Sequence, residues 1–130
     1  MKAARILSQA GLDTDQLSRE LDPVRLEDVN IWPAAKGVRL LWRSGVRGVT
    51  LWRVVLADPD VFDEDHDRLA RFVIHELVHV RQFAELGYFR FMFRYAKEYV
   101  LGRLRGQDHR TAYLGISAEV EAREVADRYV

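Results

Sequence analysis

The segment FVIHELVHVRQF, Phe72 to Phe83, constrains this chain more than any other. Phe72, Val73, Ile74, Leu77, Val78 and Val80 spread round the whole of a helical wheel instead of lining one stripe. A helix of that kind has no apolar-free side to give to water, so the rest of the chain has to be built around it. Its ends are marked. The acids of DPDVFDEDHD gather ahead of Leu69, where the positive end of a helix dipole favours them, and Gly87 offers a stop, which predicts a helix from about Glu64 to Leu86.

The chain has 130 residues and is 48% hydrophobic, enough for one domain, residues 1–130, with a real core. Lys2 to Ala10 reads as a short helix closed by Gly11. Asp13 and Gln16 have capping-box spacing for a second helix, which Asp22-Pro23 ends. KGVRLLW and GVTLWRVVLA, rich in Val, Leu and Trp and separated by RSGVRG, read as the two strands of a hairpin over Lys36 to Ala57. Tyr88 to Leu101 reads as a helix, Gly102 to Arg110 as a polar loop, and a last helix starts near Ser117 as its cap. The expected class is α+β: a small, mostly antiparallel sheet or hairpin packed against the central helix and further helices.

Composition removes several function classes. Twenty basic and twenty acidic residues cancel, so no overall field draws the chain to nucleic acid. The absence of cysteine excludes disulfides, thiolate metal sites and cysteine nucleophiles, so any metal must be held by His, Glu or Asp. The start, MKAARILSQAGLDTD, has no secretory apolar core or membrane span, and a cytoplasmic protein is expected. Oligomeric state is not legible.

Within the central helix, His75 and His79 are about 400° apart, which brings both imidazoles to nearly one face within reach of one ion. Glu76 lies about 100° further round, close enough to hold a water at the ion without ligating it. Such an arrangement suits Zn²⁺, with Glu76 as general base in hydrolysis. With His at roughly 2% and Glu at roughly 6%, a chance His-Glu-x-x-His in a chain this long has a probability well under about 1%. Two unpartnered imidazoles in a buried helix would also be costly.

A third ligand is needed. Glu85 stands ten residues after His75, where the metzincin pattern has its third ligand, but that pattern turns the chain at a glycine and this chain has Gln82 there. With the helix continuing, Glu85 points away from His79. On the last helix Glu119, Glu121 and Glu124 point in different directions, and pattern alone does not select among them.

HELVHVRQ followed by AYLGISAEVEAR resembles the gluzincin branch of zincin-like metallopeptidases, especially small bacterial domains with a downstream Glu-x-Glu-Ala. The resemblance covers roughly Val49 to Asp127 and implies a minimal zincin-like fold, zinc as cofactor and a peptide or protein as substrate. It favours Glu119 as third ligand, because Ala122 stands three residues after it as in the integral-membrane prenyl-protein endopeptidase type, with Glu121 as fallback. Arg123 stands where that larger family usually has aspartate, so the partner expected there must come from elsewhere. The resemblance also places Tyr113 just before the glutamate helix, where it could donate to a developing oxyanion, and puts the strand within Val49 to Ala57 beside the cleft.

Two readings of function therefore stand: a zinc-dependent metallopeptidase with His75, His79 and Glu119 as ligands, Glu76 as base and Tyr113 assisting, or a zincin-like zinc-containing module that binds peptide or protein without cutting it. His66, among acids at a helix start, and His109, in a polar stretch, receive no role. Trp32, Trp42 and Trp52 share no motif and are expected in the core or in a cleft wall. The helix YFRFMFRYAKEYVLGRLRG is expected to use its aromatics for the core, with contact to a membrane or partner as the alternative.

Overall fold

A computed structural model describes residues 1–35 and 47–130. Helices α1 (Ala3–Gln9) and α2 (Thr14–Glu20) lead through a 3-10 turn at Leu26–Asp28 into β1 (Asn30–Pro33). Strands β2 (Gly48–Leu51) and β3 (Val54–Ala57) and a second 3-10 turn at Pro59–Asp63 follow. Four helices close the chain: α3 (His66–Leu86), α4 (Tyr88–Leu104), α5 (His109–Leu114) and α6 (Ser117–Tyr129). The class is α+β.

The strands lie in the order β1-β3-β2, with β1 parallel and β2 antiparallel to β3. The sheet is therefore mixed, not mostly antiparallel. GVTLWRVVLA, expected to be one strand of a longer hairpin, is itself a hairpin: Leu51 pairs with Val54 and the chain reverses at Trp52 and Arg53. Trp52 takes a left-handed φ of 60° to make that turn, and no Asn-Gly or Asp-Gly signal announces it. Residues 36–46 of the expected hairpin, with Trp42, lie outside the described residues. Strand β1 has no counterpart among the expected elements.

Ile31, Val55 and Thr50 are in register across the sheet and all buried, so this row faces the helices. Trp32 alternates to the other face, and Trp52 sits in the turn; both are exposed. Neither belongs to the core, although Trp52 walls a recess with Pro23, Val24 and Phe83.

Helix α3 is the centre of the packing. Asp65 caps it by accepting from the Arg68 amide, and Val73, Ile74, Leu77 and Val78 on it are fully buried. It packs against α6, α1, α4 and β2. Burying such a helix on every side removes its apolar area from water at about 25 cal/mol per Å². Gly87, at φ +79°, lets α3 pass directly into α4 with no intervening loop.

Three further expectations are corrected. Helix α4 runs on to Leu104 and α5 already starts at His109, so only residues 105–108 of the expected polar loop lie outside helices, with Asp108 capping α5 by accepting from the Thr111 amide. Ser117 is not the cap of α6; Ile116 takes that position, and the Ser117 hydroxyl donates to Glu98 instead. The aromatics of α4 are not chiefly core: Phe91 is buried, whereas Tyr88, Phe89 and Phe93 are exposed, as is Met92 beside them.

Candidate metal centre

Helices α3 and α6 bring His75, His79 and Glu119 together, with one potential ligand atom from each within 4.8 Å of the others. His75 Nε2 lies 2.9 Å from Glu119 Oε2, and His79 Nε2 lies 3.3 Å from Glu119 Oε1. Glu119 sits in the first turn of α6 and is 3% exposed, so its charge is held out of water against the two imidazoles. Glu121 points elsewhere: its carboxylate accepts from Arg81 and from the Gln82 amide and is half exposed. Glu85 pairs with Arg81, away from the cluster.

The hydrogen-bond network assigns the imidazole tautomer. The Gln82 side-chain NH₂ donates to Ala118 O and to Glu121, which leaves Gln82 Oε1 facing His79 Nδ1 at 2.8 Å. Nδ1 must then carry the proton, and the Nε2 lone pair of the neutral ring points at Glu119. A lone pair opposing a buried carboxylate needs a cation between them. A proton meets that need in one way: burial would lower the His79 pKa, but the Glu119 hydrogen bond and the charges of Glu76 and Glu119 outweigh it and raise it to about 9. For Glu119, burial pushes the pKa up, yet the hydrogen bonds of His75 and His79 hold it far below the usual carboxylate range. A divalent metal meets the same need, and two imidazoles with one carboxylate form a donor set suited to zinc.

Glu76 is 6% exposed and accepts from the Thr50 hydroxyl at Oε2, 2.7 Å. That contact depends on β2 lying close to α3. A Cβ on Gly48 would come within 2.6 Å of the Phe72 ring and 3.3 Å of Glu76 Oε1, so a larger residue at that crossing would push the Phe72 ring aside. Among the described residues β2 is an edge strand, and Gly48, Val49 and Thr50 border the same recess as Glu76, His79 and Glu119.

Tyr113, at the end of α5, borders two recesses that meet at Glu76. One is lined by Phe91, Met92 and Tyr95, the other by Arg47, Arg68, Arg71 and Arg123. Burial, then the charges of Glu119 and Glu76, raise the Tyr113 pKa, so its phenol stays a donor. Tyr95 of α4 is among the aromatics expected in the core; its hydroxyl donates to Glu119 Oε1 at 2.7 Å and supplies the orientation that Arg123 does not. Arg123 instead donates to Leu114 O. His109 starts α5, where its Nδ1 meets the Tyr99 hydroxyl, and its ring stacks on Tyr113. His66 is exposed at the start of α3 and takes no part.

Gln82, Tyr95 and Thr50 escaped the sequence reading. Gln82 had a signal, since it stands three residues after His79 on one helix and can reach its ring. Tyr95 and Thr50 had none, because their partners are distant in sequence. In comparisons with family models, curated proteins and solved structures, nothing matches this chain.

Proposed function

We propose that this chain is a minimal zinc metallopeptidase of the zincin-like, gluzincin type, in which His75, His79 and Glu119 hold the ion. The observation that carries the reading is the union of Glu119 with the two imidazoles, together with the Gln82 contact that leaves the His79 lone pair aimed into the cluster. When bound, zinc would polarise a substrate carbonyl and bring the pKa of water down toward about 7.

The chain's own groups carry the rest. Glu76 accepts the proton of the attacking water and passes it to the leaving amine, held in place by the Thr50 hydroxyl. Tyr113 donates to the oxygen on which negative charge develops. The edge that β2 presents among the described residues can hydrogen-bond an extended peptide beside the site. The aromatic and arginine-lined recesses on either side of Glu76 receive its neighbouring side chains.

The test is metal content of the purified chain by mass spectrometry, followed by a peptide-substrate screen. About one zinc per chain is expected, lost or weakened in His79→Ala and Glu119→Ala. Glu76→Gln should retain zinc and lose hydrolysis by about 10²-fold or more. Failure to take up zinc when it is supplied would sink the proposal, and a zinc-loaded chain whose activity is indifferent to Glu76→Gln would leave only the binding module.

A further inference from the structure

The outward face of α4 is unused by the candidate metal centre. Phe89, Phe93, Val100 and Leu104 are 86%, 72%, 51% and 78% exposed. On a helix these four positions fall within about 60° of one another, so they form one continuous apolar stripe. Arg90, Arg94 and Lys97 run along one flank, and Arg103 lies on the other. Arg25, Arg47, Arg68, Arg71, Arg81 and Arg128 are engaged in ion pairs. Arg90, Arg94, Lys97 and Arg105 have no ion pair with any described residue; the same holds for Lys2, Arg5, Arg19, Arg53 and Arg110, so what sets the α4 cations apart is their alignment beside the apolar stripe. Glu98, the acid of α4, is turned inward and accepts from the Ser117 hydroxyl.

We propose that α4 lies flat on an anionic lipid bilayer, with Phe89, Phe93, Val100 and Leu104 at the acyl boundary and Arg90, Arg94, Lys97 and Arg105 at the headgroups. The charge pattern selects this occupant. An apolar stripe flanked by unpaired cations matches a surface that is apolar within and anionic at its rim. A second copy of the chain would press two basic helices together. Helix α4 does not itself cross the bilayer, since no helix among the described residues is long and apolar enough to do so. The inner side of the same helix carries Tyr95 and Phe91 toward Glu119 and His79, so docking would hold the metal cluster about one helix diameter, ~10 Å, above the lipid.

Flotation of the whole chain tests this, using vesicles of phosphatidylcholine alone and of an equal mixture with phosphatidylglycerol. The protein should float with the anionic vesicles only, and less as salt rises. Reversing Arg90, Arg94 and Lys97 to Glu should lower the partition coefficient by at least about a hundredfold, and the pair Phe89→Ser and Phe93→Ser at least about tenfold. All five residues are exposed, and circular dichroism checks that the variants remain folded. A wild-type chain that stays with the unbound fraction overturns the proposal, as does one that floats as well after either set of substitutions. Saturable binding to polyglutamate without flotation would assign the face to an acidic protein and overturn it too.

Discussion

Replacing Gln82 by Leu keeps nearly the same volume and removes the acceptor that holds His79 Nδ1. In the wild type Gln82 Oε1 accepts from His79 Nδ1 at 2.8 Å, and its NH₂ bonds Ala118 O and Glu121, both at 3.1 Å. Without it, the buried Nδ1–H has no partner, and either tautomer can face the cluster. Loss of such an outer contact to a ligating histidine weakens metal affinity about 10- to 100-fold, equivalent to about 1.4–2.7 kcal/mol. The unsatisfied imidazole N–H and the released Ala118 carbonyl should together lower stability by about 1–3 kcal/mol. Zinc affinity is read by competition with a chromophoric chelator, and stability by urea unfolding of the metal-free chain. Glu121→Ala serves as the control, since its carboxylate is half exposed and touches neither histidine. A Gln82→Leu chain that binds zinc as tightly as wild type would refute the tautomer argument. Greater loss with Glu121→Ala than with Glu119→Gln would reverse the assignment of the third ligand.

Tyr95→Phe removes the hydroxyl donor to Glu119 Oε1 and should lower zinc affinity about tenfold with little change in fold, measured by the same competition; an unchanged affinity would make Tyr95 a packing residue only. The metal-free chain should be stabilised by protonated His79 in full below about pH 6.5 and lose that contribution as pH rises to about 9, because its folded pKa lies above the ordinary value. Zinc binding should displace that proton below pH 9, which calorimetry in buffers of different ionisation enthalpy will register, and an uptake independent of buffer would contradict it. Leu77→Ala, in the fully buried centre of α3, should cost about 2–5 kcal/mol in urea unfolding, and a loss below about 1 kcal/mol would show that α3 is not the packing centre.

The central helix and its histidine pair were legible because both depend on neighbours three or four residues apart, a distance over which helix geometry is rigid. Asp13 capping α2 by accepting from the Asp15 and Gln16 amides, and Gly87 ending α3, were legible for the same reason. The turn at Trp52 was hidden because a large residue took a backbone angle usually left to glycine or asparagine. The aromatics of α4 depart from the expected core because hydrophobic spacing shows which side chains share a face, while the packing of neighbouring helices settles whether that face is covered.

By itself, the sequence determined that a helix apolar on every side would be central and that His75 and His79 would share one face of it with Glu76 beside them. Only the tertiary structure decided that Glu119 and not Glu121 meets the imidazoles, that Thr50 holds Glu76, and that Tyr95 and Gln82 orient the cluster. The reason is physical: a turn of helix positions residues close in sequence through covalent geometry, whereas Glu119 and His75, 44 residues apart, meet only because α6 buries Ala122, Val125 and Ala126 against the core that α3 anchors.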